Sequence, residues 1–359
     1  MSRARVIRFL GSTMLVLLIT VVLGEISLRI LHHFHPLFIF HDDNYNRWRR
    51  VPGSWDMDIK VNSHGFKDTE FGPKKSDVYR IIALGDSFVY GNVPYRNNYL
   101  TLLEDHLADV RPAEVLNMGI PGIGPRDYLA LLVREGLSLS PDAVLVTFFI
   151  GNDILQGAGK PEDGGFFERS RLWRAIRYLI WIRPFVEAIP ERPGRDAEHF
   201  NYCDNCPTFT PSRFLTIETK RAEIFFTNVK NTRSMILDAL QPLIEMKEFC
   251  RQKQIDFFVV LAPDESQVNP ELAALVMKRG YEPYKQYWDP EYPNRIILDH
   301  LRSKDIQVLD LLPSFRESGR GQDLYIPRNT HWNIAGNELA GNQIFKWVTE
   351  KISLRAPGD

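Results

Sequence analysis

Cysteine is scarce in this 359-residue chain: Cys203, Cys206 and Cys250 are the full set. Three thiols cannot build the dense disulfide framework of a small secreted domain. A four-ligand zinc site would need two more ligands beside Cys203-x-x-Cys206, and no second CxxC exists. In an oxidising compartment that pair can close a local disulfide, a loop staple rather than a redox centre. Cys250 follows an apolar helical pattern and reads as buried packing. Charge of one sign is also missing. The net charge is −1, so bulk electrostatics gives no case for nucleic acid as a partner. No repeat period and no GK[ST] phosphate loop occur. What is present is an ordinary globular composition, 44% hydrophobic and 25% charged, which excludes wholesale disorder and suffices for a large core.

Long apolar runs are missing everywhere except the N-terminus. There Arg3, Arg5 and Arg8 precede Phe9–Gly24, a stretch without charge, and after Glu25 come Ile26, Leu28, Ile30 and Leu31. The uncharged stretch is slightly short for a membrane span, but its flanks extend it. Arginines before the run predict a cytoplasmic N-terminus. A cleaved signal peptide and a buried core helix are the rivals, but no small-x-small cleavage site follows. The reading adopted is an uncleaved transmembrane helix over residues 1–33, single-pass in the cell membrane, with the body extracytoplasmic. His32, His33, His35 and His41 follow it, near Asp42 and Asp43. Without better-spaced carboxylates or thiols they read as interfacial solvation rather than a metal site.

Residues 34–78 are turn-rich and read as a stalk packing on the body. Strand-like runs then occur at 80–84, 113–117, 143–149, 256–261 and 307–311. Helix-like stretches lie at about 97–110, 125–138, 218–253, 290–303 and 332–352. Such alternation predicts a parallel five-stranded sheet with helices on both faces. The domain spans 79–352, with an insertion at 155–217 and a tail at 353–359. Within the insertion, Arg171, Arg174 and Arg177 alternate with Leu172, Trp173, Ile176 and Trp181. This basic amphipathic segment, 169–185, reads as a docked helix or a lid, ahead of a bilayer-surface helix.

Four short motifs fall at strand ends or at the entry to the last helix. They are Gly85-Asp86-Ser87, the stretch from Asn117 to Gly122, Gly151-Asn152-Asp153, and Thr330-His331-Trp332-Asn333. Each alone is weak, since glycine–proline clusters and GND triplets are usually turns or caps. Together they fall where one parallel sheet gathers its loops. Ser87 supplies a nucleophile and His331 a base to take its proton. The backbone N–H groups of Ser87 and Gly122, with the Asn152 side-chain amide, supply three oxyanion donors. No cofactor and no metal is called for. Asp86 and Asp153 read as helix caps and loop acceptors rather than acids of the reaction. Asp310 reads as the residue that ends the last strand and shapes a turn.

The order and spacing of these motifs resemble the SGNH, or GDSL-type, hydrolase superfamily, over roughly residues 79–352. NSHGFKDTEF at 62–71 and HWNIAG at 331–336 resemble its bacterial, membrane-anchored branch. The resemblance implies a flavodoxin-like three-layer α/β/α fold and an ester-cleaving serine site. Carried over, Ser87 matches the family nucleophile, Gly122 and Asn152 its oxyanion donors, and His331 its base.

One position departs from the family. Where an aspartate usually stands three residues before the histidine, this chain has Arg328. Asn329 stands two before, where related polysaccharide O-acetylation proteins carry an aspartate. Three readings follow. A backbone carbonyl orients His331, or Asp323 or another loop carboxylate folds into place, or the site is weak. An active site is the reading adopted, because an oxyanion hole survives loss of the acid. The expected activity is a membrane-tethered serine esterase acting on an acyl ester of a small molecule or glycan, an O-acetyl group being one candidate. The alternatives are an O-acyltransferase on an exported polysaccharide, a catalytically weak glycan-binding scaffold, and a membrane-facing lipase.

Overall fold

The computed structural model describes residues 3–34, 39–42, 47–157, 170, 172–173, 176, 202–319 and 321–353. The side chains of His32, His33, His35 and His41, the tail from 354, and most of the 169–185 segment lie outside the described residues.

Two small antiparallel pairs come first: β1 (Ile39–Asp42) with β2 (Arg47–Arg50), and β3 (Trp55–Asp56) with β4 (Ile59–Lys60). Then β5 (Tyr79–Leu84), β6 (Ala113–Asn117), β7 (Ala143–Phe149), β8 (Asp256–Ala262) and β9 (Gln307–Asp310) form one sheet, ordered β6-β5-β7-β8-β9. All four pairings in it are parallel. The expected parallel five-stranded sheet is therefore present, in the flavodoxin-like order. β7, sequence AVLVTFF, is buried at every position. A strand covered by helices on both faces has no solvent side and so reads as a continuous apolar run.

Strand alternation sorts the core into two layers. Ile82 and Leu84 face a cluster with Leu131, Leu243, Met246, Ile297 and Leu301, from helices Pro125–Arg134, Thr232–Gln252 and Tyr292–Ser303. Ile81 and Ala83 face Leu100, Leu103, Ala340, Ile344 and Val348, from helices Tyr99–Ala108 and Ile334–Ser353. The result is three layers, α/β/α. The single helix expected at about 218–253 is instead two, Pro211–Arg221 and Thr232–Gln252. Between them the chain turns so that Phe225 and Phe226 bury against Trp288, with ring centroids 5.4 and 5.3 Å apart. Burying two aromatic rings outweighs continuing a helix. Asp310 closes β9 as expected, its carboxylate accepting the Leu312 N–H at 3.0 Å.

The segment before β5 is clamped to the domain. Buried Arg49 pairs with Glu135 at 2.7 Å. Lys67, almost fully buried, donates to the carbonyls of Gly91 and Val93 at 3.0 and 2.6 Å and lies 3.5 Å from Asp56. Burial alone pushes the Asp56 carboxyl up, but Lys67 and Arg50 outweigh it and hold it below the usual range. Tyr90 donates to the same carboxylate. Asp68 accepts the Asn117 N–H at 2.7 Å.

Residues Arg3–Phe34 form one helix. Its stretch Gly11–Ile30 is long and apolar enough to cross a membrane by length and composition, and none of it is buried against the domain. Glu25, the first charge after the apolar run, accepts from the Ser170 hydroxyl and the Leu172 N–H at 2.9 and 2.8 Å and pairs with Arg29. Cys203 and Cys206 are disulfide-bonded. Cys250 is buried, and burial pushes its thiol up to about 12.

Candidate functional site

β5 ends at Leu84, and a short helix, Ser87–Tyr90, begins three residues on. Only glycine fits at 85: a Cβ there would stand 2.2 Å from Val89 Cγ2 and 2.9 Å from the Thr147 carbonyl. Asp86 caps the helix, accepting the Phe88 N–H at 2.9 Å. Ser87 is the half-exposed residue in an otherwise buried run from Arg80 to Gly91. Its hydroxyl thus opens outward at a strand-to-helix turn after β5, the strand between β6 and β7 where the sheet order reverses, which is the crevice position of such sheets.

The second and third motifs arrive from the neighbouring strands. After β6 the ladder continues, Met118 N–H to Ala83 O at 2.9 Å and Ile120 N–H to Gly85 O at 3.1 Å. Gly122 follows two residues beyond Ile120 in the loop after β6. Gly122 has φ +79° and open space where a Cβ would lie. After β7, Asn152 sits in the first turn of helix Ile150–Gly157. Its Nδ2 donates to Asp86 Oδ2 at 3.0 Å. One amide hydrogen is thereby used and one remains. Its Oδ1 is buried with no hydrogen-bond partner among the described residues. Asp86 therefore caps the serine helix with one oxygen and orients Asn152 with the other. Asp153 also accepts locally, from the Phe149 N–H at 3.0 Å and the Tyr128 hydroxyl at 2.9 Å. Burial pushes both carboxyls up, and Asp153 is raised further by the charge of Asp86.

The last motif approaches from the far side. His331 Nε2 lies 2.8 Å from Ser87 Oγ. Residues 244 apart along the chain are thus folded so that serine and imidazole make one hydrogen bond. The imidazole packs on Phe88, ring centroids 5.1 Å apart. On its other edge, Nδ1 lies 2.6 Å from Asn329 Oδ1 and 3.2 Å from the Asn329 backbone oxygen. A backbone carbonyl can only accept, so Nδ1 carries the proton. Nε2 is then the lone-pair nitrogen, facing the serine hydroxyl as a general base must. Burial, with the charge of Arg221 adding to it, pushes the imidazolium down to about 3, against an Asn329 backbone contact that raises it. The imidazole is held neutral.

No carboxylate bonds His331 among the described residues. Asp323 is exposed, and it is its backbone oxygen, not its side chain, that is engaged, by Asn333 Nδ2 at 2.7 Å. The acid's place is filled by an amide. Asn329 is visible in the sequence as the residue standing where related polysaccharide O-acetylation proteins carry an aspartate, but its contact with Nδ1 is not derivable from that. Thr208, whose Oγ1 accepts from Asn329 Nδ2, carries no sequence signal at all.

Residues 223–358 match the family described as ALGX, the SGNH hydrolase-like domain of the acetyltransferase AlgX. That region holds β8, β9, Asn329 and His331, and stops short of Ser87. No curated protein matches the chain. Among solved structures, the acetyl xylan esterase AlAXEase superposes with a TM-score of 0.41 at 13% identity, over 75% of this chain and 99% of that one. The lipase/acylhydrolase from Enterococcus faecalis gives 0.38 at 15% identity, over 76% and 96%. TesA gives 0.41 at 13% identity, over 76% and 98%. Over residues 223–358 the chain is thus similar to an SGNH hydrolase-like domain, and the four motifs lie in order on one five-stranded parallel sheet.

Proposed function

We propose that this protein transfers acyl groups from esters through a covalent Ser87 acyl-enzyme. The observation that carries the reading is the 2.8 Å contact between Ser87 Oγ and a His331 Nε2 whose neighbour Nδ1 is fixed as the protonated nitrogen. In the first step Ser87 Oγ attacks the ester carbonyl and its proton passes to Nε2. The oxyanion meets the Ser87 and Gly122 N–H groups and the remaining N–H of Asn152. The C–O bond then breaks, and the leaving alcohol takes the proton from Nε2. In the second step water or another hydroxyl gives its proton to Nε2 and attacks the acyl-serine; the acyl C–Oγ bond breaks and Ser87 Oγ takes that proton back from Nε2.

Water as acceptor makes an esterase, and a hydroxyl of a glycan makes an O-acyltransferase. The second reading is favoured by the family match over 223–358, which is to an acetyltransferase domain. The apolar N-terminal helix supports tethering of the domain at the outer side of a cell membrane, where exported or cell-surface glycans are the available acyl acceptors. The neutral amide beside His331 fits slow turnover. A fluorophosphonate probe that labels the wild type and not Ser87→Ala supports the serine chemistry, and labelling that survives in Ser87→Ala excludes it. Acetate release against acetyl-glycan formation, from one acetyl donor, separates the two acceptors.

A further inference from the structure

Two segments 121 residues apart along the chain meet beside the imidazole. The Thr208 N–H donates to the Pro327 carbonyl at 3.1 Å, and the Phe209 N–H to the Arg328 carbonyl at 3.2 Å. Their side chains close the junction, with Asn329 Nδ2 donating to Thr208 Oγ1. The turn that bears Asn329 needs such support. Arg328 has φ +52° and Thr330, β-branched, has φ +73°. Each left-handed residue of this kind costs roughly 1–2 kcal/mol. Thr208 is itself anchored. The Cys203–Cys206 disulfide closes two residues before it, and Asp204 inside that loop accepts from the Ile334 N–H at 3.0 Å and the Tyr202 hydroxyl at 2.7 Å. Ile334 opens the helix that follows His331. One stapled loop therefore grips the chain on both sides of the imidazole.

An amide, unlike a carboxylate, has two unlike ends. Only the carbonyl end of Asn329 accepts from Nδ1–H, so the side chain works in one orientation. The opposite end, its NH₂, lies in a nearly closed site, since Asn329 is 8% exposed. Thr208 Oγ1 receives it there. Without that oxygen a buried N–H goes unpartnered, at a cost of about 1–3 kcal/mol, and the amide rotates away. We propose that Thr208 is a positioning residue for the His331 base, acting through the Asn329 amide. The proposal rests on the reading of Ser87 and His331 as nucleophile and base.

The test uses the full chain in detergent, with p-nitrophenyl acetate for kcat and KM and a fluorophosphonate for the labelling rate of Ser87. Thr208→Val keeps the shape and loses the oxygen, and it is expected to lower kcat and the labelling rate about tenfold or more with KM unchanged. Thr208→Ser is expected to restore both to within about threefold. In an Asn329→Asp background both ends accept, no wrong orientation exists, and Thr208→Val is expected to cost less than about threefold. Thr208→Ala replaces Thr208→Val if the latter does not fold. Wild-type kcat in Thr208→Val, failure of Thr208→Ser to rescue, or an equal loss in the Asn329→Asp background each overturns the proposal. A labelled wild type beside an equally labelled Thr208→Val overturns this inference alone. A wild type that takes no label at Ser87 overturns the parent reading, and this inference with it.

Discussion

The proposed nucleophile and the proposed base are held by opposite means. Ser87 stands at the end of a buried strand, its turn fixed by backbone ladders, by the Asp86 cap and by a glycine that nothing else could replace. Its helix is further clamped by the segment before β5, through Tyr90, Asp56 and Lys67. His331 follows no strand. It hangs from a turn with two left-handed residues, held to a loop far away in sequence by two backbone hydrogen bonds and by the Asn329–Thr208 side-chain contact. The difference teaches where precision comes from. On the serine side it is a property of the sheet, and most side chains could change without moving the hydroxyl. On the histidine side it depends on the identity of a few polar atoms, and one of them is an amide where an acid is usual.

The comparison predicts that the two sides fail differently. His331→Ala removes the proton acceptor itself and should lower turnover on the order of a thousandfold or more, leaving residual rate from the oxyanion donors. Asn152→Ala should cost roughly a hundredfold in kcat through one lost oxyanion donor. Its thermal midpoint should stay near wild type, because the Asp86 cap to Phe88 survives. An Asn152→Ala enzyme with unchanged kcat would remove Asn152 from the oxyanion site.

This asymmetry also governs what could be read from residues alone. The strands 143–149 and 256–261 announce themselves as apolar runs, and the loops after strands fall at one sheet edge by topology. Ser87, Gly122 and Asn152 were legible for that reason. His331 was legible as a residue at the mouth of the last helix. The break at Phe225 was not, since a helical pattern runs through it and burial against Trp288 decides. Nor was Thr208. A threonine in a polar loop has no spacing to anything, and its pairing with Asn329 is created by tertiary structure.

Restoring the acid should sharpen the contrast. Asn329→Asp places a negative charge against Nδ1, stabilising the imidazolium that forms during attack, and should raise kcat roughly tenfold. The pH dependence should move with it. In the wild type the imidazolium is pushed down to about 3, so kcat/KM should show no histidine limb between about pH 5 and 8. In Asn329→Asp that limb should enter the range. A histidine at about 3 when folded and 6.5 when unfolded lets the unfolded chain bind the extra proton. Its contribution is nil above 6.5, and stability is lost as pH falls from 6.5 toward 3. Burial raises Asp68 and Glu265 to about 7, which acts in the opposite direction. The informative quantity is therefore the wild-type minus Asn329→Asp difference in midpoint between pH 7 and pH 4. A difference independent of pH would show that the amide does not set the histidine's charge.

The smallest effect should come from the Cys203–Cys206 staple, and it tests the contrast most selectively. The bond closes a loop of a few residues, for which chain entropy gives about 2 kcal/mol of restraint. Thr208 and Phe209 each keep a backbone hydrogen bond to the 327–328 turn when the bond is cut, so the imidazole should loosen rather than leave. A water-soluble phosphine should slow Ser87 labelling about two- to fivefold by letting the Asn329 amide sample its other orientation. Cys203→Ser/Cys206→Ser should match the reduced wild type and ignore the reductant. Among the described residues the hydrogen bonds of this loop beyond itself run to the 327–334 segment, so fluorescence of a probe already attached to Ser87 should not change on reduction. An equal labelling rate with and without reductant, in protein shown by mass to have lost the bond, would mean that the turn at Asn329 holds itself. The two halves of the site would then differ in geometry but not in what maintains them.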